Sequence, residues 1–515
     1  MGAIEQNMHN LNNPMISGFL KNVLSFPHNN ALFVNNEYYT YSELFSISHK
    51  IYSQLNQFQT LFDKIGIYCK DDVETYASII AVSLYGAAYV PINSKYPFIR
   101  NNYIVNETQI QVILNARDLI EQNVFSDKIL ISINLEDYQE ENSIDVRQNF
   151  IKTNQPLAYI LFTSGTTALP KGVPVSIANL NSFFSHFHNQ RLYSFSQNDR
   201  FLQVYELTFD VSVFSFFMPL SLGACCYVLP QKGIRFLEIL KFIKEFDITV
   251  ISMVPTIIQF MGKYLDEIKF PSLKYSFFSG DKLSHNCATH WARSAYNATL
   301  INYYGPTETT IVCTYYPWNE YDSQLQSVND VVPIGKSFEG MEFVILNEKN
   351  QLIENDQKGE LCFHGSQVIN GYLNNTNSDK FIEIYVNNTS KIFYRTGDIC
   401  SLNKYGNLIF YGRKDNQHKI NGHRVDLIEI EGAIKSIINS FFSINCFKDK
   451  LGRNLLILFI VNDDFDINSF KSKLSELLPN YMIPQKIILL ENMPLNFNNK
   501  VDQNQLAQIF EKYQV

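Results

Sequence analysis

At 515 residues the chain exceeds what one hydrophobic core usually supports, so two or more domains are expected. With 46% apolar and 18% charged residues, its composition is that of a globular rather than a disordered protein. A net charge of −8 with no Lys/Arg cluster argues against binding a phosphate backbone, so nucleic acid is not an expected partner.

In chain order, the opening MGAIEQNMHNLNNPMISGFLKN lacks a basic stretch followed by an apolar one and does not read as a signal peptide. Gln6 stands where a myristoylation motif requires Ser or Thr. No apolar run reaches ~18 residues, so no membrane partner is expected and the cytosol is the expected compartment. Residues 64–69 (KIGIYC) read as a strand, 74–86 as a helix and 88–93 as a strand. Strand signals return at 157–162, 200–205, 248–253, 274–278 and 299–303, with helical stretches at 236–246, 256–268 and 284–296. This alternation predicts an α/β fold with largely parallel sheets, whose ligands sit beyond the carboxyl ends of the strands.

After about residue 330, short strands with Gly-Asp-Asn turns predict a small β-rich subdomain. From about residue 416 the segments EIEGAIKSIINS, LLILFIVN and INSFKSKLSELLP predict a compact α+β domain of roughly 100 residues. The expected boundary lies in Gly412–Lys419, dividing 1–414 from 415–515, and no carrier domain is expected after Val515. The eight cysteines are scattered without CxxC spacing and read as reduced core thiols. His186-x-His188 has no metal-ligating partner nearby and reads as surface or helix histidines.

Five motifs carry chemistry. In Tyr159-Ile-Leu-Phe-Thr-Ser-Gly-Thr-Thr-Ala-Leu-Pro-Lys-Gly172 a buried strand empties into a loop of small and hydroxylated residues. Such a loop can present backbone N–H groups and the hydroxyls of Thr163, Ser164, Thr166 and Thr167 to phosphates, although it lacks Walker A spacing. Asn302-Tyr-Tyr-Gly-Pro-Thr-Glu308 ends a strand in a turn presenting an aromatic ring, a hydroxyl and a carboxylate. Tyr394-Arg-Thr-Gly-Asp398 offers a carboxylate that could accept hydrogen bonds from a diol. Gly412-Arg-Lys-Asp-Asn-Gln-His-Lys-Ile-Asn-Gly-His-Arg-Val425 is a charged connector, and Pro494-Leu-Asn-Phe-Asn-Asn-Lys500 places a lysine near the C-terminus. Taken singly, each residue reads as a polar turn or a surface charge.

Together and in this order, from about residue 30 onward, the motifs resemble the acyl-adenylate-forming superfamily, which includes acyl-CoA synthetases, luciferases and amino-acid adenylation domains. The resemblance implies a large N-terminal domain with parallel-sheet layers and a β-subdomain, followed by a small mobile α+β domain. It implies ATP and Mg²⁺ as cofactors. It places Thr163, Ser164, Gly165, Thr166, Thr167, Lys171, Gly280, Asp281, Asn302, Tyr303, Tyr304, Gly305, Thr307, Asp398, Arg413 and Lys500 at the nucleotide. In it Tyr304 stacks on adenine, Asp398 holds the ribose hydroxyls, Lys500, Thr163 and Glu308 are catalytic, Glu308 also holding the metal, and Asp415 is the hinge. Ala168, Asn499, His418 and Asn421 depart from the family's commoner residues.

The class of acid hangs on Asp210 in Glu206-Leu-Thr-Phe-Asp-Val-Ser-Val-Phe214. A carboxylate in so apolar a context is costly to bury unless paired, and an α-ammonium group is a natural partner. The competing reading is a helix N-cap with no substrate role. The resemblance adds Val211, Phe214, Ser252, Phe277, Ser279, Tyr303, Ile311 and Val312 as pocket residues, three of them bulky aromatics that favour a compact side chain. It points to free-standing enzymes that load D-alanine, L-proline or another small amino acid onto the phosphopantetheine of a separate carrier protein. The alternatives are an acyl-CoA synthetase acting on a fatty or aryl acid, and a catalytically silent nucleotide-binding homologue.

Overall fold

The computed structural model describes residues 13–116, 125–134, 146, 150, 156–163, 169–230, 232–353, 356–375, 378–414, 417–461, 465–495 and 501–513. The chain divides into two compact units. One falls within Met1–Ser94, Ile104–Phe162 and Gly172–Gly412; the other falls within Lys95–Tyr103, Thr163–Lys171 and Arg413–Val515.

The first unit holds three sheets. A six-stranded sheet runs in the order Ile129–Ile133, Val112–Ala116, Lys64–Cys69, Ala88–Asn93, Leu157–Thr163, Lys171–Ser176. A nine-stranded sheet has a parallel middle, with Thr299–Tyr304, Tyr275–Phe278, Val250–Met253, Arg200–Gln203, Cys225–Val228 and Asn30–Val34 side by side. Antiparallel strands close both edges of this sheet. The third, five-stranded sheet is built from strands between Met341 and Arg413, including the 14-residue Thr389–Leu402. The parallel strands are short and β-branched or aromatic, buried on both faces, as sheets covered by helices must be. The expected α/β class and late β-rich region are both present.

Local differences have local causes. The stretch expected as one helix over 256–268 is two, Thr256–Met261 and Tyr264–Glu267, because Gly262 (φ 34°) leaves helical geometry. The strand expected over 200–205 ends at Gln203, whose carboxamide bonds both the N–H and the C=O of Tyr205 to make a tight exit. All eight cysteines are free thiols, six of them buried.

Two helices of the first unit shape the site. Ile177–Asn189 starts in a capping box, with Ser176 Oγ accepting from Asn179 N and Asn179 Oδ1 from Ser176 N. Such a box contributes about 1 kcal/mol. Its Leu180, Phe183, Phe184 and Phe187 recur at helical spacing and pack into the main core. Val211–Leu222 is buried along most of its length and ends at Gly223 (φ 81°), the left-handed residue that stops it.

The second unit pairs Phe442–Lys448 antiparallel to Asn454–Val461, which runs parallel to Lys486–Leu490. The helices Leu427–Ile437, Ile467–Ser475 and Gln503–Lys512 pack around these strands, giving an α+β arrangement. Within this unit Arg100 and Glu429 form a buried ion pair at 2.5 Å, and His423 stacks on Tyr481 at 3.9 Å. Among the described residues no helix is long and apolar enough to cross a membrane.

Candidate active site

In the first unit the predicted residues converge at the carboxyl ends of the parallel strands, where open α/β sheets bind ligands. Ser252 and Phe277 are register partners on neighbouring strands, and Phe277 is in turn opposite Ile301, two residues before Tyr303. Phe277 meets Tyr303 edge-on at 5.3 Å and Phe214 at 5.7 Å. All three rings are at most 5% exposed, with Phe214 and Tyr303 both packed on Phe277.

Asp210 sits just before the Val211–Leu222 helix with helical backbone angles, and its side chain makes no capping hydrogen bond. The N-cap reading is therefore not met. The carboxylate is only 8% exposed. Burial and then its charge push up the Tyr159 phenol, and burial, Cys69 and then its charge push up that of Tyr89. Burial pushes the Tyr205 phenol up to about 12, opposed by the Ser252 and Ser279 hydroxyls that face it. These hydroxyls meet without ordinary hydrogen-bond geometry: among the described residues neither Tyr205 Oη nor Ser279 Oγ completes one. Sequence alone does not single out Tyr205, because nothing in the linear pattern aims it at two other strands.

Behind the aromatic wall runs a buried hydrogen-bond relay. Tyr303 Oη and Tyr193 Oη are hydrogen-bonded at 2.5 Å, and Tyr193 Oη is 3.1 Å from His186 Nε2. His186 lies flat on Phe338, 3.5 Å between ring centroids. This corrects the surface reading of His186: it is on a helix but 3% exposed, and burial lowers its pKa to about 3, so it is neutral. His188, two residues on, is exposed as expected.

The residues of the first unit that the sequence places at the nucleotide form a second group. Tyr304 Oη donates to Asp398 Oδ2 at 2.5 Å, and burial followed by the Asp398 charge raises the Tyr304 phenol. Asp398 N in turn donates to Thr396 Oγ1 at 3.0 Å. Glu308 is wholly buried and its Oε1 accepts from Tyr372 Oη at 2.6 Å. Gly305 is obligatory, since a Cβ there would lie 2.5 Å from Val312 Cα. Thr307 opens the one-turn helix Thr307–Thr309. Gly280 (φ 86°) turns the chain after Phe277–Ser279, and Asp281 accepts from the Lys282 N–H. Asn302 spends its Nδ2 on Pro333 O at 2.9 Å, a structural use. Ile311 and Val312 are buried beside this turn, and Val211 is half-buried at the start of its helix.

In the second unit Thr163 and the buried Lys171 flank the phosphate-type loop, and Arg413 donates to Gln417 Oε1 at 2.9 Å. Ser164, Gly165, Thr166, Thr167, Asp415 and Lys500 lie outside the described residues.

The donor chemistry suits the groups implied. A buried carboxylate beside a tyrosine at a strand end matches a diol, and Glu308 supplies one hard oxygen. Among the described residues no group of three His, Cys, Asp or Glu could hold a metal by itself. Glu308 is the residue that would hold a Mg²⁺ ion here, and such an ion would supply neutralisation of phosphate charge.

The model of the AMP-binding enzyme family matches residues 19–373. The chain belongs to that family, and so to the acyl-adenylate-forming superfamily. This AMP-binding chain is 31% identical to gramicidin S synthase 1 of Brevibacillus brevis over 513 residues, covering 95% of itself and 44% of that protein. It thus spans less than half the length of that relative. Among solved structures it resembles the Vibrio cholerae adenylation domain AlmE, bound to glycyl-adenosine-5'-phosphate, at TM-score 0.83 and 26% identity, covering 97% and 98% of the two chains. It also shares the fold of PA1221, described as a nonribosomal peptide synthetase protein with adenylation and peptidyl carrier domains, at TM-score 0.81 and 22% identity, covering 96% and 84%.

Proposed function

We propose that this AMP-binding enzyme adenylates a small amino acid at the expense of ATP and passes the aminoacyl group to the phosphopantetheine thiol of a carrier protein. The observation that carries the reading is Asp210: a buried carboxylate that does not cap the helix it precedes, and whose charge acts on Tyr205 beside Ser252 and Ser279. A buried carboxylate needs a cation or a dense set of donors, and the α-ammonium of an amino acid supplies both a charge and three N–H donors. Phe214, Phe277 and Tyr303, packed ring against ring, favour a compact side chain. Support for the amino acid also comes from AlmE, whose bound ligand is a glycyl adenylate, and support for the carrier from PA1221.

In the first half-reaction a carboxylate oxygen attacks the α-phosphorus, the bond to the bridging oxygen breaks, and pyrophosphate leaves with the electron pair. Asp210 would fix the amine, Tyr304 and Asp398 the nucleoside, and the 163–172 loop the phosphates. Lys500, assigned by its motif, would offset the charge that gathers as the oxygen attacks. Bound Mg²⁺, with Glu308 as its protein ligand, would neutralise phosphate charge. In the second half-reaction the sulfur of the carrier attacks the acyl carbon, losing its proton, and AMP departs with the C–O bonding electrons. A rotation of the C-terminal domain about Asp415 would exchange the two partners.

The test is pyrophosphate–ATP exchange against D- and L-amino acids, fatty acids and aryl acids, with wild type beside Asp210→Ala and Lys500→Ala. Exchange driven by one small amino acid and abolished by both substitutions is the expected result. Exchange driven by fatty or aryl acids, with Asp210→Ala active, would instead assign a coenzyme A ligase.

A further inference from the structure

Between Thr307 and Val312 the backbone adopts a shape its sequence does not favour. Thr310 (φ 59°) and Ile311 (φ 69°) are both left-handed, and both are β-branched, the side chains least suited to that region. Such geometry persists only where the surroundings over-determine it.

Beyond the turn's own local bonds, the contacts that fix it come from one short stretch, Gln367–Tyr372. Gln367 is wholly buried and turns its Nε2 toward three carbonyl oxygens: Thr309 at 3.2 Å, Thr310 at 3.3 Å and Val312 at 2.8 Å. Its own backbone C=O accepts from Thr310 Oγ1 at 2.6 Å. Two residues on, Ile369 N donates to Glu308 O at 3.0 Å, and Tyr372 Oη binds the Glu308 carboxylate. Three acceptors around one NH₂ fix the amide's orientation, and Oε1 completes no hydrogen bond among the described residues.

We infer that Gln367 is a positioning residue. It clamps the carbonyls of 309–312 so that Ile311 and Val312 close the amino-acid pocket while Glu308, at the other end of the turn, is held toward the nucleotide. This rests on the pocket assignment proposed above. No other side chain makes so many bonds to that turn among the interactions described, and its position, 55 residues from Val312, hides the link in the sequence.

Gln367→Glu and Gln367→Leu separate positioning from bulk packing. A carboxylate facing three carbonyl oxygens is repelled, so the carboxyl introduced by Gln367→Glu titrates above the ordinary glutamate value of about 4.3, and only the protonated acid can donate to the turn. Gln367→Glu should therefore stay within about threefold of wild type in exchange at pH 6 and fall at least about tenfold by pH 8.5 as the acid ionises. Gln367→Leu, with no donor at any pH, should raise KM for the amino acid about tenfold, affect kcat less, and keep a constant ratio to wild type across that range. Without ligand, the thermal midpoint of Gln367→Glu should drop relative to Gln367→Leu over the same rise in pH. A flat Gln367→Glu ratio, or a Gln367→Leu KM within about twofold of wild type, would overturn the inference. If wild type exchanges with no amino acid, the pocket assignment falls, and the ligand-free midpoints still decide the clamp.

Discussion

Replacing Asp210 by Asn keeps the volume and removes the charge. If the carboxylate holds an α-ammonium at about 4 Å in surroundings of effective dielectric ~20, the pair is worth about 4 kcal/mol. Asp210 is 8% exposed, so little solvent screening reduces that figure. Truncating one partner of a buried charge pair costs about 2–5 kcal/mol in measured cases, which brackets the same value. Asp210→Asn should then lower kcat/KM for the amino acid by about 10²–10³-fold at about 1.4 kcal/mol per decade. The sharper assay is discrimination. Exchange is measured with the amino acid that drives it and with its deamino analogue, which differ only in the amine. Wild type should favour the amino acid strongly, and the variant should nearly lose the preference, because the analogue never engaged the carboxylate. A variant that keeps its preference within about tenfold of wild type would refute the reasoning, and so would equal losses for both acids.

Tyr304→Phe removes one charge-assisted hydrogen bond to Asp398 and should raise KM for ATP by about 1.5–3 kcal/mol, or roughly 10–100-fold, with a smaller change for the amino acid; equal changes for both would detach Tyr304 from the nucleotide. Gly305→Ala drives a Cβ against the Val312 backbone, which cannot yield as a side-chain tip could, so urea unfolding should show a loss of about 1–3 kcal/mol. His186, held neutral with a pKa of about 3 against about 6.5 unfolded, contributes stability that is complete above about pH 6.5 and lost as pH falls toward 3. By pH 4 that loss is roughly 3 kcal/mol, and His186→Gln should flatten the acid limb of the stability curve; an unchanged slope would place the acid sensitivity elsewhere.

Much of the protein is written locally. KIGIYC at 64–69 reads as a strand because Ile65, Ile67 and Cys69 recur at every second position, and the structure has it with the same bounds. Gly262 is a helix break that the apolar residues on either side mask in the linear pattern. The turn Tyr304-Gly305-Pro306 and the carboxylates Asp210, Glu308 and Asp398 stand out because glycine and buried charge are demanding wherever they occur.

What tertiary structure alone decided is which distant groups share a cavity. His186 looks like a helix-surface residue until Tyr193 and Phe338 enclose it, and Tyr205 acquires Ser252 and Ser279 only through sheet register. Gln367 meets a turn more than fifty residues away, where its amide offsets left-handed geometry that no propensity would assign to Thr310 and Ile311. Sequence sets the local cost of each residue in each conformation. Where many weak bonds across the chain outweigh that cost, only the folded arrangement records it.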